Sequence, residues 1–124
     1  RIRLEEELPV YERLGDVREK AVTHFKIASL RLARNEQQSE EGFLAIFESL
    51  HQAYEIAAQM RIADGISAVG PLLAQFLAIR QAFAPALQVL AQVDEACATL
   101  GDEARRQRAA DLRQQIEAMQ AGQA

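Results

Sequence analysis

The sequence predicts an all-α protein of about six helices, and three observations carry the prediction. Apolar residues recur at three- and four-residue spacing through most of the chain. No segment alternates apolar and polar residues for long enough to make a strand. Proline occurs 3 times and glycine 6 times, while Ala, Leu, Gln, Glu and Arg are plentiful. Those side chains lose little freedom in a helix, so the bias favours one.

The first helix is expected over about Ile2 to Leu14, with Pro9 kinking it or starting a new one. Gly15 is expected to end it in the left-handed conformation. Asp16 then caps a second helix, about Val17 to Arg34, with Glu19 completing a capping box. The polar run "NEQQSEEG" breaks that helix. Ser39, Glu40 and Glu41 suit the start of a third, which carries Phe43, Ile46, Phe47, Leu50, Tyr54 and Ala57 to about Ile62. "ADG" is expected to end it.

A fourth helix covers about Ile66 to Gln81, with Pro71 tolerable only near its start. The fifth covers about Pro85 to Leu100, and Gly101-Asp102 repeats the stop-and-cap signal of Gly15-Asp16. The sixth, about Glu103 to Ala121, is polar, with a thin apolar stripe of Ala109, Leu112, Ile116 and Met119. Such a helix suits the end of a stack.

Composition narrows the function. With 49% hydrophobic and 26% charged residues, 124 residues make one globular domain. A net charge of -4 argues against nucleic acid as partner, because that affinity rests on cations. No apolar run nears the roughly 20 residues of a membrane span. A lone cysteine, Cys97, forms no internal disulfide and suits a reducing, cytoplasmic setting. The opening "RIRLEEE" has no initiating Met and reads as helix rather than signal peptide, so a fragment of a longer protein is expected.

Reactive residues do not cluster. His24 and His51 fall on different helices with no ligand at metal spacing. Cys97 sits among Ala96, Ala98 and Leu100 and reads as a small buried hydrophobe. "RRQR" at Arg105 to Arg108 could meet RNA or an acidic partner, but Glu103 and Asp111 beside it favour a solvated face. Neither an enzyme, a metal nor a cofactor is expected.

Leu14 and Leu100 precede the two Gly-Asp pairs and Met60 holds the comparable place, at spacings of 46 and 40. Such self-similarity signals stacked helical units. Within them, Leu73-Ala74 and Ile27-Ala28 place a small residue after a large one, and Ala86, Leu90 and Val93 follow Ala74 at twelve, four and three. This pattern resembles the tetratricopeptide repeat, in a bacterial tandem array of roughly 40-residue units. Departures are the absence of Trp, Ala98 where a proline is usual, and about six extra residues in "NEQQSEEGF".

The resemblance implies a right-handed α-solenoid of antiparallel helix pairs, with units about 1–34, 35–81 and 82–121. It implies a concave groove that includes Val22, Phe25, Ser29 and Ala33 on the second helix. On the fourth it adds Ala68, Pro71, Gln75 and Ile79, and on the sixth Arg108, Asp111, Gln115 and Met119. The expected function is a non-catalytic scaffold binding a peptide or protein there. The alternative is a regulatory domain that binds a small ligand or signalling peptide and changes its superhelical curvature. An exposed N-terminal repeat edge would also let the chain self-associate.

Overall fold

Helix-forming runs become five α-helices and one short 3-10 helix in the computed structural model, which describes residues 2–122, with side chains from residue 15 onward. They are α1 (Ile2–Ala33), the 3-10 helix Glu36–Gln38, α2 (Glu40–Gln59), α3 (Ala63–Ile79), α4 (Phe83–Leu100) and α5 (Glu103–Gly122). No strand occurs among the described residues. The chain divides into two compact units, Arg1–Ile56 and Ala57–Ala124, with α2 crossing the division.

The largest departure from expectation is at Gly15. The two helices expected on either side of it are one, and α1 runs through Gly15 and Asp16 unbroken. Gly15 lacks the positive φ of a helix end, and Asp16 and Glu19 cap nothing. Glycine permits a left-handed turn without demanding one; inside a helix it costs only about 1 kcal/mol relative to alanine. The helix formers on both sides outweigh that. The expected kink at Pro9 lies outside the residues whose side chains are described.

In the first unit Asn35 closes α1 with φ 58°, its N–H donating to Leu32 O at 3.0 Å. The 3-10 helix takes up the extra residues, and Arg31 holds Glu36 at 3.1 Å. Ser39 caps α2 as expected: its Oγ accepts from the Gly42 N–H at 3.0 Å, and its carbonyl accepts from the Phe43 N–H at 2.9 Å. Gly42 must lack a side chain, because a Cβ there would collide with the Glu36 carbonyl. Ala28, Phe43, Ile46, Leu50, Ala53 and Tyr54 are buried.

The second unit is built from one joint used three times. Arg61, Gln81 and Gly101 all take the left-handed conformation, at φ 54°, 63° and 69°. Each donates its N–H three residues back, to Ala58, Ala78 and Ala98, at 3.2, 2.9 and 3.2 Å. The next residue donates five back: Ile62 to Ala57, Ala82 to Leu77 and Asp102 to Cys97, at 2.8, 2.9 and 3.0 Å. This paired pattern satisfies the carbonyls that a helix end leaves without partners. Ile62, Ala82 and Asp102 then start the next helix by accepting from Ile66, Ala86 and Arg106. The joints fall every 20 residues. Asn35 precedes Arg61 by 26, so the six-residue excess expected in "NEQQSEEGF" falls in that interval.

Burial keeps the same interval. Ala53, Leu73 and Val93 are buried, as are Val69, Val89 and Ala109, and Phe76, Ala96 and Ile116. The Val, Leu, Ile and Phe side chains among them each stabilise the fold by about 1.5–3 kcal/mol when fully buried, and the alanines by less. Helix α3 packs on α4, α4 packs on α5, and α3 also touches α5. Connections this short make sequential helices antiparallel, so α3 and α5 point the same way.

Two further expectations are corrected here. "ADG" opens α3 instead of closing α2, because the left-handed Arg61 already ends that helix. A Cβ on Gly65 would sit 3.0 Å from that of Ala57, so the glycine suits the tight turn at this joint. Pro71 consequently lies well inside α3 rather than near its start, and it offers no N–H to the Ser67 carbonyl.

Candidate partner-binding surfaces

The expected groove residues fall in both units. On α1, Val22 is 53% exposed, Phe25 is half-buried, and Ser29 and Ala33 are exposed. On α3, Gln75 is exposed and Ile79 is 61% exposed, with Ala68 and Pro71 half-buried. On α5, Arg108, Asp111 and Gln115 are exposed and Met119 is 43% exposed. The α3 and α5 residues belong to one unit, on two helices that touch.

Arg105 fixes the register of those two helices. Its guanidinium donates from α5 to Ser67 Oγ at 2.8 Å and to Asp64 Oδ1 at 3.1 Å, both on α3. Ser67, 3% exposed, in turn donates to the Asp64 carbonyl at 3.0 Å, so its hydroxyl both donates and accepts. The Arg105 backbone N–H is held by Asp102 Oδ1 at 3.0 Å, the N-cap of α5 that the sequence predicts.

Residues 64 and 67 of α3 therefore stand beside residue 105 of α5, an offset near 40. At about 1.5 Å per residue, Ile79 lies about 22 Å along α3 from Asp64 and Met119 about 21 Å along α5 from Arg105. The two exposed apolar side chains are thus level on parallel helices. Gln75 and Gln115 share a lower level, and Ala68 and Arg108 one lower still. Charge on this face is sparse: Asp111 accepts from Gln107 at 3.0 Å, and Arg108 donates to the Ala104 carbonyl at 3.3 Å.

Within "RRQR", Arg105 and Arg106 are engaged rather than simply solvated. Arg106 Nε donates to Asp94 Oδ1 on α4 at 2.9 Å and also faces Glu103 at 3.7 Å. The hydrogen bond and charge of Asp94, with Glu103 behind them, raise its pKa. The cluster thus ties α5 to both α3 and α4. Helical spacing alone cannot reveal such ties, since each joins residues distant in sequence.

Each unit also carries an open cleft. One of about 550 Å³ in the second unit is lined by Ala58, Arg61, Ala63, Ile66, Gln92, Glu95, Ala96 and Thr99. The other, about 530 Å³, lies in the first unit. Lys20, His24, Ile27 and Arg31 line it from α1, and Ala45, Glu48, Ser49 and Gln52 from α2. Sequence reasoning missed this second cleft, although Lys20, His24, Ile27 and Arg31 stand at the i, i+4, i+7, i+11 spacing of one helix face.

Cys97 is fully buried, and burial, with Asp102 adding to it, pushes its thiol pKa up. A thiol so placed is a poor nucleophile. Tyr54 is buried, and its phenol is pushed up to about 12 by burial and then by Glu55. His51 stacks on Phe47 with ring centroids 6.0 Å apart and faces Glu55 at 3.5 Å. Among the described residues no three His, Cys, Asp or Glu side chains gather as metal ligands. No helix among the described residues is long and apolar enough to cross a membrane.

Comparison with protein-family models, with curated proteins and with solved structures finds no match for this chain.

Proposed function

We propose that the chain is a non-catalytic protein–protein interaction module that binds a peptide or protein segment along the α3–α5 face. The observation that carries this reading is the level pair Ile79 and Met119, exposed on parallel helices whose register Arg105 fixes. Two apolar side chains at one end of a polar strip can anchor a segment, while Gln75, Gln115 and Arg108 meet its backbone or polar groups. An exposed apolar anchor within a polar surround is also how interaction hot spots are built.

A tetratricopeptide-type stack is part of the same proposal. The 20-residue interval of the joints, and the 40-residue offset between α3 and α5, support it. In such a stack, shape and not reactivity performs the function, and neighbouring repeats extend the binding face.

The test is peptide selection from a displayed random library, run against wild type and against Ile79→Asp with Met119→Asp. Both positions are exposed, so the double variant should keep its circular dichroism and melting temperature. Peptides that bind wild type and lose at least about tenfold in affinity for the variant support the face, since about 1.4 kcal/mol corresponds to tenfold. Peptides that bind both proteins equally would place binding elsewhere.

A further inference from the structure

We propose that the α1–α2 cleft of the first unit docks an acidic amphipathic segment of a partner protein. This surface is separate from the α3–α5 face and does not depend on it. The chain as a whole carries -4, yet the stretch from Val17 to Arg34 holds five Lys and Arg residues and one carboxylate, Glu19. Three basic side chains of this stretch, Lys20, His24 and Arg31, line the cleft.

Two of those groups are free to receive a ligand. Lys20 and His24 make no hydrogen bond or ion pair among the described residues, and Arg31 is committed only to Glu36, at 3.1 Å. Ile27, 38% exposed, sits between the cations and gives an apolar side chain somewhere to rest. A helix with carboxylates at i and i+4 and a Leu at i+7 would match Lys20, His24 and Ile27, which stand at the same spacing.

The opposite wall selects the class of partner. Glu48 faces the cleft from α2. A continuous phosphate backbone would have to lie against that carboxylate. A protein segment can set its acids toward α1 and neutral groups toward Glu48, where charge arrangement fixes the choice of partner.

The experiment is fluorescence anisotropy at low salt with a fluorescein-labelled helical peptide that carries Glu at i and i+4 and Leu at i+7. Its Lys-for-Glu counterpart and a U-rich RNA oligonucleotide serve as competing probes. The acidic peptide should bind saturably and weaken as salt rises. Lys20→Glu with Arg31→Glu should weaken it at least about tenfold, and Glu48→Lys should strengthen it about threefold. Lys20→Glu alone covers the case in which losing the Arg31–Glu36 pair unfolds the joint. Ile79→Asp with Met119→Asp should leave this binding unchanged, which separates the two surfaces. Absent or charge-insensitive binding, equal binding of the Lys peptide, or tighter binding of the RNA would each overturn the proposal.

Discussion

Leu-Gly-Asp occurs twice, at residues 14–16 and 100–102, with opposite structural outcomes. Gly15 and Asp16 lie inside the 32-residue α1. Gly101 ends α4 at φ 69°, and Asp102 caps α5 through the Arg105 N–H. The same three letters are a helix interior in one place and a joint in the other. Context decides, and at 101 the context is a set of contacts made later in the chain. Arg105 and Arg106 attach α5 to α3 and α4, so the chain must turn there for those bonds to form.

The sharpest way to break this contrast is proline. Gly15→Pro should cost α1 about 3 kcal/mol or more, seen as lost helicity, whereas Glu103→Pro at the first position of α5 should cost little. Equal losses would mean that α1 is not continuous. Removing the aspartates comes next. Asp102→Ala should destabilise by about 1 kcal/mol through the lost cap, while Asp16→Ala should leave the melting temperature nearly unchanged.

Alanine at the two glycines should act with opposite sign. Gly101→Ala forces a side chain into the left-handed region and should cost about 1 kcal/mol. Nothing lies within 4 Å of a Cβ built on Gly15. Gly15→Ala should therefore stabilise by about 0.5–1 kcal/mol. The smallest effect sharpens the comparison among joints. Gln81→Gly relieves a strained φ at the price of a looser unfolded chain, for a net gain of about 0.5 kcal/mol at most by thermal melting. A clear loss there would show that the Gln81 side chain itself holds the joint.

Much of the fold was legible because periodicity reports burial directly. The apolar stripes of α2 to α5 mark helices whose observed bounds fall close to the expected ones, and Ser39 and Asp102 cap where their chemistry suggests. What escaped was the joint. Two of its three left-handed residues are Arg61 and Gln81, which carry no turn signal, so a search for glycine finds only Gly101. The α1–α2 cleft was not legible in the sequence, and neither was any partner. Gln75, Ile79, Arg108, Asp111 and Gln115 are exposed, but Arg105, which sets the register between their helices, acts across 38 and 41 residues of sequence.

The recurrence of Arg61 and Gly101 at an interval of 40 makes the stretch from Ala63 to Asp102 portable. It enters and leaves through the same backbone geometry, so a gene carrying it twice would lengthen the protein without inventing a new connection. The Arg105 tether would not be copied with it, since residue 65, its counterpart 40 places earlier, is glycine. A lengthened chain would carry this tether once, on α5, and the added cassette would be held by packing alone.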